Sequence, residues 1–389
     1  MLDSDQVRTL VARSAEIKGD LVAFAQGPRY RRRLEARIAA AEDEYGELDQ
    51  IRLIQVIDEF ILQHRRPGGR TVAEQYLLQH AHLLAEPERA MLSGGADVVE
   101  GIFEIDSVKR DVLTLHHLRD DLDYQVYSNA GRGALAGLSK GMFLYGRVVP
   151  VHPDSDAWLV SGGLQAFPKL AAGVVAQTAI FSDVSGALRR NPALRERSWA
   201  MQREFRSTFI EVFGADWAIL PPNSADEKLR ELYQRCTDAA LAKAGAELSE
   251  PAASVAQTLE GLPPALLDAE SVGLIFDEVE GLCFYEDYGL LDELFGSPSL
   301  VRSRRYAEHL RGYLRDESVA PMAIRRLVER HPGAADQVFQ VVLRKPGFRW
   351  AEDGEAMLRM RKPAFFATDP EPSMAVVGQR LADLLQRTG

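Results

Sequence analysis

Asp97-Val98-Val99-Glu100-Gly101-Ile102-Phe103-Glu104-Ile105 is where the chain changes character. Val99, Gly101, Phe103 and Ile105 alternate with Val98, Glu100, Ile102 and Glu104, a period of two that sends successive side chains to opposite faces of a strand. Four more strand-like runs follow: Val112 to Leu118, Leu122 to Ser128, Met142 to Val151 and Trp158 to Gly162. Turn signals separate them, among them Asn129-Ala130-Gly131 and Pro153-Asp154-Ser155. Five short strands in about 70 residues leave no room for crossover helices. The expectation is an antiparallel sheet curled into a small barrel, OB-like (oligonucleotide-binding) or SH3-like.

Outward from this stretch the period is 3.6. On the N-terminal side Ile51, Leu53, Ile54, Ile57, Phe60 and Ile61 form one apolar stripe until Pro67-Gly68-Gly69 breaks it. Thr71-Val72-Ala73-Glu74 then has capping-box spacing, in which hydroxyl and carboxylate satisfy free amides at a helix start. After Phe167-Pro168 helical spacing returns and persists to the end. A second capping box, Ser224-Ala225-Asp226-Glu227, precedes Leu229, Leu232, Tyr233 and Cys236. Pro221-Pro222, the stretch from Pro251 to Pro264, and Pro363 to Pro372 divide the helical groups. The fold expected is therefore α+β: a helical domain over 1–95, a five-stranded antiparallel barrel over 96–168, and a helical C-terminal half over 169–389 with a sub-boundary near 250–264.

The 389 residues carry 46 Lys plus Arg against 57 Asp plus Glu, a net charge of −11, and are 46% hydrophobic. That balance describes a soluble globular chain and excludes disordered, collagen-like and disulfide-stapled classes. Cys236 and Cys283, the two cysteines, cannot build a disulfide framework or a multi-cysteine zinc site. Met1-Leu2-Asp3-Ser4-Asp5 lacks the basic start of a secretory signal, and Leu170 to Phe181 is too short and too interrupted to span a bilayer. A cytoplasmic protein without a membrane partner is expected.

The charge is uneven. Residues 251–298 hold ten acidic side chains and no Lys or Arg, whereas residues 299–389 hold sixteen basic and eleven acidic ones. One reading gathers Asp277, Glu280, Glu286 and Asp287 around a divalent metal, with His309 as a base, in a metal-dependent hydrolase of phosphoesters. The other docks the acidic segment on arginines that follow it, including Arg302, Arg304, Arg305, Arg311 and Arg315.

Several short motifs fail on their surroundings. Gly137-Leu138-Ser139-Lys140-Gly141 matches a serine-hydrolase elbow, but the expected strand follows the serine instead of preceding it. Gly131-Arg132-Gly133-Ala134-Leu135-Ala136 matches a dinucleotide fingerprint without room for the helix that must follow. His80 and His82 diverge on a helix, and His116 and His117 point to opposite sides of a strand, so neither pair shares an ion. Arg29, Arg31 and Arg32 form the densest basic run and could contact phosphate, although Glu35, Glu42, Asp43 and Glu44 follow at once. Tyr127, Tyr145 and Arg147 would make a stacking platform for single-stranded bases if they faced outward from the barrel.

Lys140-Gly141-Met142-Phe143, Gly146-Arg147-Val148-Val149-Pro150 and Trp158-Leu159-Val160-Ser161-Gly162 resemble a set of bacterial cytoplasmic proteins with a central small barrel. Gly281-Leu282-Cys283-Phe284-Tyr285-Glu286-Asp287-Tyr288-Gly289 looks like a second shared block. That resemblance implies domain order and setting, and no activity, cofactor or catalytic residue. The function expected first is a non-enzymatic binding or scaffold protein whose barrel or acidic segment contacts another macromolecule, another protein ahead of a nucleic acid. The phosphoester hydrolase and single-strand nucleic-acid binding through the barrel stand behind it.

Overall fold

A computed structural model describes residues 2–65, 69–129, 132–180, 184–244, 261–367 and 369–388. The chain divides into two units, Met1–Leu194 with Val377–Gly389, and Arg195–Val376. The expected 1–95 and 96–168 segments thus share one unit, and the expected C-terminal half contributes to both. The expected sub-boundary near 250–264 falls largely outside the described residues.

In the first unit, α1 (Ser4–Ala25), α2 (Arg31–Tyr45), α3 (Gln50–Leu62), α4 (Val72–His80) and α5 (Glu86–Gly94) precede the barrel. Thr71 caps α4 as its spacing predicts: its hydroxyl accepts from the Glu74 amide, and the Glu74 carboxylate accepts from the Thr71 amide. The barrel strands are β1 (Val99–Lys109), β2 (Val112–His117), β3 (Leu122–Tyr127), β4 (Phe143–Pro150) and β5 (Ala157–Phe167). They close in the order β1-β2-β3-β5-β4. Four pairings are antiparallel, but β3 and β5 run parallel where they meet, so the barrel is mixed. A first strand paired with both the second and the fourth, closed through the third and fifth, is the OB-like order and not the SH3-like one.

The alternation set out above governs burial. Val99, Phe103, Ile105, Leu113, Leu115, Tyr124, Val126, Leu144 and Val148 fill the interior. β5 runs on to Phe167, beyond the expected end at Gly162, because Gln165 to Phe167 resume pairing with β4 after an irregularity over Gly162-Gly163-Leu164. Helices cover two outer regions. The N-terminal helices pack on Val149, Val151, Ala157 and Leu159. On the other side α6 (Ala172–Ile180), which α7 (Val184–Arg190) follows, and α15 (Gln379–Thr388) bury Val175, Ala176, Ala179, Leu381 and Leu384 against Ile102, Leu118 and Phe143. The last helix of the chain therefore belongs to the barrel.

The second unit begins within α8 (Pro192–Phe213) and holds α9 (Pro222–Ala244), α10 (Tyr288–Gly296), α11 (Arg304–Arg315), α12 (Pro321–Arg330), α13 (Ala335–Val342) and α14 (Trp350–Arg361). It also holds an antiparallel sheet, β6 (Trp217–Leu220), β7 (Val272–Asp277) and β8 (Gly281–Glu286), where helix alone is expected from the spacing. One face of β7 packs on Phe209, Val212, Leu229 and Leu232, while Ile275 on the other joins the core of α10 to α14. A strand buried on both faces loses the alternation that identifies it. The capping box at Ser224 is not realised either. Pro222 opens α9 two residues earlier, a position where its missing N–H costs nothing.

The chain enters and leaves this unit side by side: the Val376 amide donates to Ser198 Oγ at 3.1 Å, and the Ser373 amide to Gln202 Oε1 at 2.8 Å. Among the described residues no single helix is long and apolar enough to cross a membrane.

Candidate functional site

The acidic residues expected to share a metal are not brought together. Asp277 Oδ1 accepts from the Val279 and Glu280 amides at the closed end of the β7–β8 hairpin. Asp287 lies beyond its open end, where Oδ1 accepts from the Glu270 and Ser271 amides. Five residues of strand separate the two ends, about 16 Å. Glu286 is exposed next to Asp287, and burial followed by the Asp277 charge raises the Glu280 carboxyl above its usual range. His309 Nε2 donates to the Asp287 carbonyl at 3.1 Å and ties α11 to the hairpin. The docking arginines are partly as expected: Arg305 pairs with Glu270, but Arg311 and Arg315 turn to Glu308.

The barrel residues expected to stack bases are covered. Arg147 is 1% exposed beneath α3; Nη1 donates to the Gln55 carbonyl at 3.4 Å, Nη2 contacts Gln63 Oε1, and Nε lies 3.4 Å from Glu100. Beside it, buried Asp58 pairs with Lys18 at 2.6 Å and accepts from Ser161 Oγ at 2.6 Å. This charged layer joins α1 and α3 to β4 and β5. The Tyr145 hydroxyl donates to Glu100 at 2.9 Å, and its burial pushes the phenol well up. Tyr127 packs against the N-terminal helices. Arg29, Arg31 and Arg32 are exposed, with Arg31 bonded to Glu35 at 2.9 Å and Arg29 over the Tyr30 ring.

His116 and His117 point to opposite sides of β2, as strand geometry requires, and each ends in a polar cluster. His117 faces inward. Its Nδ1 lies 2.9 Å from Asp120 Oδ2, which also accepts from the Tyr124 hydroxyl at 2.6 Å and Arg190 Nε at 2.9 Å. Burial works to raise the Asp120 carboxyl, but His117, Tyr124 and Arg190 together hold it below the usual carboxylate range. His117 Nε2 is buried against Gly101, where a Cβ would come within 2.5 Å of it. This cluster is packed shut.

His116 faces outward and is only 8% exposed, yet it meets groups that reach solvent. Register sets Asp123 directly opposite on β3, with Oδ1 2.7 Å from His116 Nδ1. The other ring nitrogen, Nε2, lies 3.1 Å from Asp121 Oδ1. From β1 comes Asp106. The pairing of β1 with β2 shifts between Ile105 and Ser107, so Asp106 is the extra residue of a bulge, a device that re-aims a side chain. One ligand atom from each of Asp106, His116 and Asp123 lies within 4.8 Å of the others. Ligands around a single small cation sit about 3 to 3.5 Å apart, so a modest contraction suffices.

Two further groups shape the cluster. Asp121 accepts from the Gln379 amide at 3.1 Å and so holds the start of α15 while orienting the imidazole. Arg380 Nη1 donates to Asp106 Oδ1 at 2.8 Å and lies 3.6 Å from Glu104. Four carboxylates thus face one guanidinium and one imidazole, an excess of negative charge that a divalent cation would balance. One nitrogen with carboxylate oxygens, the imidazole braced by a further carboxylate, suits zinc or manganese better than the all-oxygen shells of calcium and magnesium. The chain was compared with family models, curated proteins and solved structures, and none matches.

Proposed function

We propose that the chain is a non-enzymatic binding protein of the bacterial cytoplasm, whose barrel takes up a divalent transition-metal ion at Asp106, His116 and Asp123 and meets another macromolecule through that face. The observation that carries this is the convergence of three ligand atoms around an imidazole already oriented by Asp121. Asp123 is 59% exposed, so open coordination positions would point to solvent, where a partner's side chain or water completes the shell. The hydrolase reading has no comparable support, because its four carboxylates lie at the two ends of a hairpin.

Titration calorimetry on the full chain tests the reading. Zinc or manganese should bind saturably near neutral pH, with magnesium and calcium much weaker. His116→Ala and Asp123→Asn should each weaken binding about tenfold or more, in line with loss of one ligand. Equal affinity in wild type and both variants, or no saturable binding at all, would sink it.

A further inference from the structure

The second unit carries a different site. Arg311 and Arg315 on the last turns of α11, Arg344 just beyond α13, and Arg361 at the end of α14 line one cleft, with Leu314, Val342 and Leu343 as its floor. Its volume is about 180 Å³. That is below the roughly 300 Å³ of pockets for drug-sized ligands and suited to a small polyatomic anion.

Four guanidiniums in one cleft require an explanation, and helix ends supply part of it. Cations stabilise helix C-termini, and three end here, each equivalent to about −0.5 charge. Glu308 adds one carboxylate, 2.7 Å from Arg311 Nη1 and 3.7 Å from Arg315 Nη2. The Val342 carbonyl accepts from Arg311 Nε at 3.2 Å. Lys362 lies behind, buried, its Nζ donating to the Tyr313 carbonyl at 2.6 Å and to that of Asp316. Glu308 and the dipoles offset roughly half of the positive charge. Among the described residues no acidic side chain pairs with Arg344 or Arg361.

Arg344 adds an independent observation. The Lys345 amide donates to the Gln340 carbonyl and the Arg344 amide to that of Val341, a Schellman ending for α13. Arg344 takes the left-handed position of that motif, with φ of 54°, where glycine is the residue of least strain. An arginine held there in spite of strain, and aimed into a cleft of three other arginines, is explained by a ligand better than by helix capping.

We propose that this cleft binds the phosphate group of a small phosphorylated molecule, with Arg344 and Arg361 as its uncommitted donors and Arg311 and Arg315 completing the fork. Guanidiniums match phosphate oxygens in pairs, and the surplus charge fits a dianion.

The test is calorimetry in phosphate-free buffer with inorganic phosphate, free phosphoserine and free serine, on wild type, Arg344→Gly and Arg361→Gln. Phosphate and phosphoserine should saturate and serine should not. Phosphoserine should bind more tightly than phosphate; equal affinities would assign the cleft to the inorganic ion and overturn a phosphorylated ligand. Arg344→Gly relieves the backbone strain, so its melting temperature should hold or rise while affinity falls about tenfold or more; Arg361→Gln should lose affinity likewise. No saturable heat with phosphate on the order of 10 mM, or unchanged affinity in both variants, would overturn the proposal.

Discussion

Asp120 shows how much one residue can hold. Its carboxylate is fully buried and accepts from Tyr124 and Arg190 while facing His117, and its carbonyl accepts from Asn191 Nδ2 at 2.7 Å. Asp120→Ala removes the acceptor of the buried Tyr124 hydroxyl and of the half-buried Arg190 guanidinium and should cost about 3–5 kcal/mol, read by urea denaturation. Because its folded pKa is depressed, its contribution is present above the ordinary value of 3.8 and disappears as pH falls through the lower folded value. Asp120→Asn should flatten that part of the acid limb of a stability–pH curve. At this scale the sequence was partly legible. The divergence of His116 from His117 follows from strand geometry alone, and Asp123 follows once the hairpin register is known. Asp106 does not, because a bulge breaks the count of residues that would place it beside His116. Arg147 reads as an outward-facing cation for the same kind of reason: strand alternation gives its side of the sheet, but not the helix lying over that side.

At the element scale, β8, α10 and α11 bring Tyr285, Tyr288 and Tyr313 together, with ring centroids 5.6 to 6.3 Å apart. Tyr288 donates to the Ala323 carbonyl at 2.6 Å, and Tyr313 to that of Glu286. Burial is the largest cause that pushes all three phenols well above the ordinary value of 10.0. Groups whose folded pKa is raised give stability that is full below the unfolded pKa and declines as pH rises past it. The second unit should therefore lose stability above about pH 10. Phenolate absorbance from these tyrosines should appear with unfolding and not before it; ionisation in the folded state would refute this. The barrel elements were legible because each strand has a dry face and a second face of mixed polarity. β7 was not, since Val272, Gly273, Leu274, Ile275 and Phe276 are buried on both sides and read as any short apolar run. The Ser224 capping box failed because a proline two residues earlier already starts α9.

Across the whole molecule, the unevenness of charge resolves into local pairings, such as Glu270 with Arg305 and Asp292 with Arg330 and His331, rather than one acidic face against one basic face. Connectivity matters more. Residues 377–389 complete the first unit, burying Leu381 and Leu384 on the barrel and placing Arg380 at Asp106. Deleting them should destabilise that unit by about 3–6 kcal/mol, from two leucine-sized burials. Hydrogen exchange should accelerate in β1 and β4, and unchanged protection there would count against the assignment. No run of sequence announces this docking, because α15 is an ordinary amphipathic helix and its site lies more than two hundred residues upstream.

The hydrogen bond from Val376 to Ser198 brings the two ends of the second unit together. A module whose incoming and outgoing chains lie a single hydrogen bond apart has the geometry of a cassette: a short bridge can replace it, another domain can occupy its slot, and it can be expressed alone with its ends already neighbours. The arginine cleft belongs to that module, whereas Asp106, His116 and Asp123 belong to the other unit.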